Sequence, residues 1–220
     1  MDDLTNFWKD KQVVLVGPAS SVIGGAQGEL IDRFDLVVRL NHQWPIPEDL
    51  TTDLGSRMDV LYHCCNGDYP INRLFNEEFK HTKLVCYENG FETYFLKKKC
   101  SEEDIPSLNV TPVYGKLQSL LGSYPTTGLV AIAHLLDSPI RTLYVTGLTF
   151  CQTPYYPGYH GGAALPDRYA MIQKTGRYWN HDFNADFRFF RENFAHHPKI
   201  QLDSILTELV AFSTETGYTL

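Results

Sequence analysis

Nowhere in the 220 residues is there an apolar run long enough to cross a bilayer. The amino-terminal stretch MDDLTNFWKDKQ is acidic and holds no apolar segment, so neither a signal peptide nor a membrane anchor is expected. Cysteine is scarce and odd in number: five, with Cys64 and Cys65 adjacent and no C-x-x-C pair. That pattern favours neither a full disulfide set nor a zinc site and suits a reducing compartment, so a soluble cytoplasmic protein is expected. Positive charge is in deficit, 19 Lys and Arg against 26 Asp and Glu, which gives a net charge of -7. Nucleic-acid binding rests on cations that neutralise phosphates, so no nucleic-acid partner is expected. The one dense basic run, Lys97, Lys98 and Lys99, sits beside Glu102, Glu103 and Asp104 and reads as a solvated loop. Repeats and low-complexity segments are missing, as are a D-x-D pair and a G-x-G-x-x-G turn.

What is present is a chain of one-domain size, residues 1–220, long enough to bury roughly 70% of its unfolded surface. Short apolar runs recur: VVLVG from residue 13, DLVVRLN from 35, DVLYHC from 59, KLVCYE from 83, NVTPVYG from 109 and TLYVTGLTF from 142. Continuous rather than alternating apolarity indicates strands covered on both faces. Between them lie the helix-like stretches GAQGELIDRF, NRLFNEEFKH and TGLVAIAHLLD. The tail adds FNADFRFFRENFAHH as an amphipathic helix, the strand KIQLD and a closing helix SILTELVAF. Alternating strands and helices predict an α/β fold: a three-layer α/β/α sandwich around a mostly parallel, Rossmann-like sheet. The longest irregular stretch, from Cys151 to about Asn180, is crowded with Gly, Pro and Tyr and directly follows a strand. Ligands of open α/β sheets bind beyond the carboxyl ends of strands, so it is read as a lid or binding loop.

The first strand runs into VVLVGPASSVIGG. A dinucleotide turn needs a middle glycine so that the backbone can approach a pyrophosphate, but here Gly17 is followed by Pro18 and Ala19. The hydroxyls of Ser20 and Ser21 suit a single phosphate or a sugar, which favours a nucleoside monophosphate; a turn that merely joins strand to helix is the alternative. The second strand ends at Asn41, where a nicotinamide-dependent enzyme carries an acidic ribose ligand. An amide donates and accepts at once, which suits a ribose hydroxyl, a phosphate oxygen or a base edge. Gly55-Ser56-Arg57 then leads into the third strand.

The series VVLVG…IDRFDLVVRLN…DLGSRMDVLY resembles the L motif of the eukaryotic-type sialyltransferase family. YPTTGLVAIAHLLD…LYVTGLTF resembles the S motif, YH at 159 resembles motif III, and NHDFNAD at 180 resembles the very-small motif. The four blocks stand in the family's order. Pro18 replaces the motif's Asn, Asp186 stands where Glu is usual, and the cysteines that tie the L and S motifs in secretory members have no counterparts. The resemblance implies the sialyltransferase-type variant of the GT-A fold. It also implies inverting transfer of sialic acid or a related keto-sugar acid, such as Kdo, from a CMP-activated donor to an acceptor hydroxyl. The partners are then the CMP-sugar donor and a glycan or other hydroxyl-bearing acceptor, with no separate cofactor. With no D-x-D pair, a metal-independent mechanism is expected.

On this reading His181 is the general base, because an imidazole near neutrality is poised to take the acceptor's proton. His160 is the partner of the departing phosphate, with Tyr159 as the fallback, since the family accepts His or Tyr there. Thr126, Thr127 and Gly128 open a helix whose amides and hydroxyls hold ribose or phosphate, and Gly147 lets the nucleotide lie against a strand end. Asp182 or Asp186 is read as favouring the helix dipole and holding the ring of the base, the alternative being that Asp186 is no more than a helix cap. His134, His63, His196 and His197 are assigned structural roles. A nucleotide-binding module without catalysis and a nucleoside monophosphate hydrolase are the alternatives.

Overall fold

The structure, a computed structural model, describes residues 2–65, 79–159, 170–172 and 174–215. Seven strands form one parallel sheet in the order β5-β4-β3-β2-β1-β6-β9. These are β1 (Gln12–Val16), β2 (Leu36–Leu40), β3 (Val60–His63), β4 (Leu84–Tyr87), β5 (Ser107–Asn109), β6 (Thr142–Thr146) and β9 (Ile200–Leu202). A separate antiparallel pair, β7 (Arg177–Tyr178) and β8 (His181–Asp182), lies outside it. From β1 the chain builds outward through β2 to β5, then returns to place β6 on the other side of β1. The topological switch therefore falls between β1 and β6, where open parallel sheets leave a crevice for ligands.

Helices cover both faces. Val13 and Leu15 of β1 point into a core shared with α1 (Asp2–Trp8), α5 (Thr111–Leu121), α6 (Thr127–Asp137), α7 (Phe183–Asn193) and α8 (Ser204–Glu215). Val14 and Val16, on the opposite face, pack with Ile31 of α2 (Gly28–Asp32) and Leu54 of α3 (Thr51–Leu54). Farther along that face, Leu61 and Val85 pack on Leu96 and Cys100 of α4 (Thr93–Glu102). All of β2, β3 and β4 is buried, which is why these strands read as nearly continuous apolar runs, broken only by Arg39 and His63. The two edge strands, β5 and β9, have three residues each and are only partly buried, as short edges usually are.

The three-layer parallel α/β architecture expected from the sequence is what the structure shows. Two local expectations are corrected. The run NVTPVYG is strand only at Asn109; Thr111 and Pro112 then open an eleven-residue helix, because proline's fixed φ and missing N–H suit a first turn. The lysine run Lys97–Lys99 lies in helix α4, where Lys98 and Lys99 pair with Glu102 and Glu103 one turn on and Leu96 and Cys100 anchor the buried face. Most of NRLFNEEFKH lies outside the described residues.

Candidate functional site

A cavity of about 750 Å³ opens at the carboxyl edge of the sheet. Each strand from β1 to β6 contributes a residue from just past its end: Pro18 and Ala19, Asn41, Cys64, Glu88, Thr111 and Gly147. The amino end of α6, the inner face of α5 at Tyr114, and the β7–β8 hairpin with His181 complete the wall. Across the switch point the chain ends of β1 and β6 press together. Gly17 N donates to Thr146 O at 2.7 Å, and Ala19 N donates to Gly147 O at 2.8 Å. A Cβ on Gly17 would stand 2.2 Å from Gly147 O, and one on Gly147 would meet Val22 at 2.5 Å. These two glycines thus serve a backbone contact. Gly147 also lines the cavity, beside Pro18 and Ala19, whereas Ser20 and Ser21 are not among the lining residues. Ser20 N donates to Pro154 O at 2.7 Å, and Tyr156 N donates to Pro18 O at 2.9 Å, so residues 154–156 are pinned over the first turn.

Much of the block from Ile31 to Asp59 is architectural. Arg39 is fully buried and donates from NH2 to Leu54 O at 2.6 Å and from Nε to Arg57 O at 3.0 Å. Burial lowers its pKa to about 10, against the raising influence of Tyr156, Asp32 and Asp59. Asp32 accepts from the amides of Ser56 and Arg57, and Arg57 reaches Asp59 at 2.7 Å. Only Leu40 and Asn41 carry this block into the cavity, and of the two Asn41 brings the polar group. Its φ of +47° lies in the left-handed region that asparagine tolerates, and its Oδ1 accepts from Cys64 N at 3.0 Å.

The second half of the site is a clamp around two threonines. Thr126 caps α6 by accepting from Leu129 N, while its own amide donates to Asp186 Oδ2 at 2.8 Å. Thr127 stands against the carboxyl of Glu88. Gly128 follows, and there a Cβ would crowd the Leu148 side chain at 2.8 Å. Both acids are buried with no cation acting on them among the described residues: burial pushes Asp186 up to about 7 and Glu88 up to about 8. The cap of α7 is Asp182, which accepts from Ala185 N at 2.9 Å and pairs with Arg177 at 2.8 Å. Asp186 instead ties the first turn of α7 to the threonine loop.

His181 sits on the hairpin immediately before α7 and lines the cavity, half-buried. Its Nδ1 lies 2.8 Å from Tyr124 O. A carbonyl only accepts, so Nδ1 carries the proton and Nε2 is the basic nitrogen of the neutral ring. Tyr124 also meets the ring edge-on, with centroids 6.2 Å apart.

The fold thus brings Asn41, Thr126, Thr127, Gly128, Gly147, Tyr159 and His181 to one cavity. Gly17 shapes the switch point, and Tyr159, 4% exposed, packs on Tyr155 and Tyr156. His160 lies outside the described residues. His63 is a core group: burial lowers it to about 3, and its Nδ1 accepts from Cys65 N. His134 is held by the Tyr62 hydroxyl at 2.6 Å. Sequence reasoning missed Glu88 and Tyr114 as wall residues; for Glu88 the signal was there, an acid at the carboxyl end of a buried strand.

No protein-family model matches the chain, and no curated protein matches it. Solved structures do. A mammalian sialyltransferase aligns at a TM-score of 0.58 with 16% identity, over 88% of this chain and 68% of that one. The sialyltransferase CST-II in complex with CMP aligns at 0.56 with 16% identity, over 93% and 84%. CstII from Campylobacter jejuni in complex with the substrate analogue CMP-3FNeuAc aligns at 0.51 with 14% identity, over 90% and 83%. The chain has the sialyltransferase fold. Among the described residues no helix is long and apolar enough to cross a membrane.

Proposed function

We infer that the chain is a single-domain, sialyltransferase-like glycosyltransferase that takes a CMP-activated sugar acid and passes the sugar to an acceptor hydroxyl. The observation that carries this reading is the convergence of His181, the Thr126–Thr127 helix start and Asn41 on one cavity at the β1–β6 switch point. The likeness in fold to proteins whose structures hold CMP or CMP-3FNeuAc supports the donor class.

In this mechanism the α6 amino terminus, with its free amides and threonine hydroxyls, stabilises the negative charge that grows on the departing CMP. His181 Nε2 takes the acceptor's proton as the new bond forms on the face opposite the leaving group, which inverts the anomeric centre. The Tyr124 carbonyl holds the ring in the required tautomer. Asp186, by fixing α7 against Thr126, keeps base and threonine loop in register. His160 is assigned to the leaving phosphate with Tyr159 as its alternative, Ser20 and Ser21 to the phosphate side of the first turn, and Gly17 and Gly147 to the chain crossing beneath it. The reaction is taken to be metal-independent and cytoplasmic, with sialic acid or a related acid such as Kdo as the sugar.

Pro18 supports a second reading, a module that binds the nucleotide without turnover. It lines the cavity with no amide to donate, and its carbonyl is engaged by Tyr156 N. Incubating the protein with a panel of CMP-sugars and glycan acceptors, with products read by mass spectrometry, decides between the two. A product shifted by one sugar-acid residue is expected. CMP binding with no product from any pair selects the module, and the appearance of free cytidine and phosphate from CMP selects hydrolysis.

A further inference from the structure

Glu88 follows β4 and forms part of the cavity wall, yet it lies in none of the motif blocks. It is 7% exposed, it stands against Thr127, and its Oε1 has no hydrogen-bond partner among the described residues. A buried carboxylate with no cation beside it is unfavourable, whereas a neutral acid in the same place satisfies itself by donating. We propose that Glu88 is a positioning residue for ligand binding. As a neutral acid it donates to Thr127 Oγ1, so that the Thr127 hydroxyl proton is left for an anionic oxygen of the bound donor. This rests on the cytidylate reading above and adds to it the group that sets hydroxyl direction. When Glu88 ionises it can only accept: the Thr127 O–H turns toward it, and the cavity loses a donor and gains a negative charge.

Burial supports the neutral form, holding Glu88 up to about 8 against the lowering influence of Thr127. Of the groups that face it, only Asp186 titrates near that range. Tyr114 of α5 feels the charge of Glu88 and is itself pushed well up by burial. Cys65, just past β3, feels both Glu88 and Glu92 and is pushed up to about 12. His63, whose carbonyl accepts from Glu88 N, is lowered to about 3. Asp186, on the far side of Tyr114 and the threonine pair, is the remaining acid, at about 7.

The test is calorimetric binding of CMP and of CMP-3FNeuAc between pH 7 and pH 9, where a phosphate monoester has already lost its second proton. Only the protonated fraction is competent, so the apparent Kd is expected to rise about tenfold over those two pH units. A rise with both ligands assigns the Thr127 contact to the phosphate; a rise with CMP-3FNeuAc alone assigns it to the sugar carboxylate. Glu88→Gln, whose amide always donates, should bind as tightly at pH 9 as at pH 7. Thr127→Ala should bind more weakly at pH 7 and show a smaller rise toward pH 9, the part that repulsion by ionised Glu88 leaves, while Asp186→Asn should keep the full rise. A flat wild-type profile with binding intact, or an unchanged rise in Glu88→Gln, overturns the inference alone. No binding of either ligand at pH 7 overturns the cytidylate reading and this inference together.

Discussion

Between residues 32 and 59 four charged side chains spend themselves on the chain itself. Arg39, Asp32, Arg57 and Asp59 make their hydrogen bonds with chain carbonyls, amides and one another, and only Asn41 brings a polar group to the cavity. Between residues 124 and 186 the same kinds of group turn toward open space: Thr126, Thr127 and His181 line the cavity, and the acid behind them, Asp186, is there to place them. The first region builds the floor that holds the strand ends in register; the second presents the chemistry. A motif resemblance therefore mixes two kinds of residue, and only burial and hydrogen-bond partners separate them.

That contrast is sharpened most by His181→Ala. Transfer should fall about 10²–10⁴-fold, the range general-base removal produces, with CMP affinity and the urea midpoint nearly unchanged. An unaltered rate would move the chemistry elsewhere in the wall. Arg39→Met is the mirror experiment. It leaves the Leu54 and Arg57 carbonyls without their buried donor and should cost about 3 kcal/mol in urea denaturation, while the folded fraction still binds CMP. Loss of CMP binding at full stability would instead put Arg39 in the ligand site.

The next effect is a pH dependence of stability. Folded Glu88 and Asp186 keep their protons to about 8 and about 7, against 4.5 and 3.8 as unshifted groups. The folded chain thus binds more protons than the unfolded one across that window, and stability falls as pH rises through it. His63 works oppositely: with its folded pKa lowered to about 3 from 6.5, it costs stability as pH falls below 6.5. Between pH 6.5 and 8 the acids act alone, so urea midpoints should decline there. The double variant Glu88→Gln with Asp186→Asn should flatten the decline; an equally steep slope would show that the acids are already ionised. Smallest is Thr126→Ala, which removes the α6 cap and should cost about 1 kcal/mol, read by the same denaturation.

The sheet was legible because parallel strands buried on both faces have to be largely apolar, and β1 to β4 are, with Arg39 and His63 as the buried polar exceptions. The helix at TGLVAIAHLLD stood out because it is buried nearly all round, and the tail helix at FNADFRFF because one face is covered. Residues 111–121 were misread because VTPVYG carries strand-like side chains, while the proline that starts the helix was weighed less. Lys97–Lys99 hid a helix because its buried face rests on just Leu96 and Cys100. Within the site, His181 and the threonine pair stood out by motif, but Ser20 and Ser21 read as equally suited to a phosphate and are not among the lining residues.

Apolar continuity and glycine placement, which are properties of neighbouring residues, set the strands, their covering helices and the crevice between β1 and β6. The tertiary structure alone brought Glu88 from the end of β4 and Asp186 from α7 against consecutive threonines. Whether a carboxyl keeps its proton depends on the water and cations excluded around it by segments distant in sequence, and no local pattern records that exclusion.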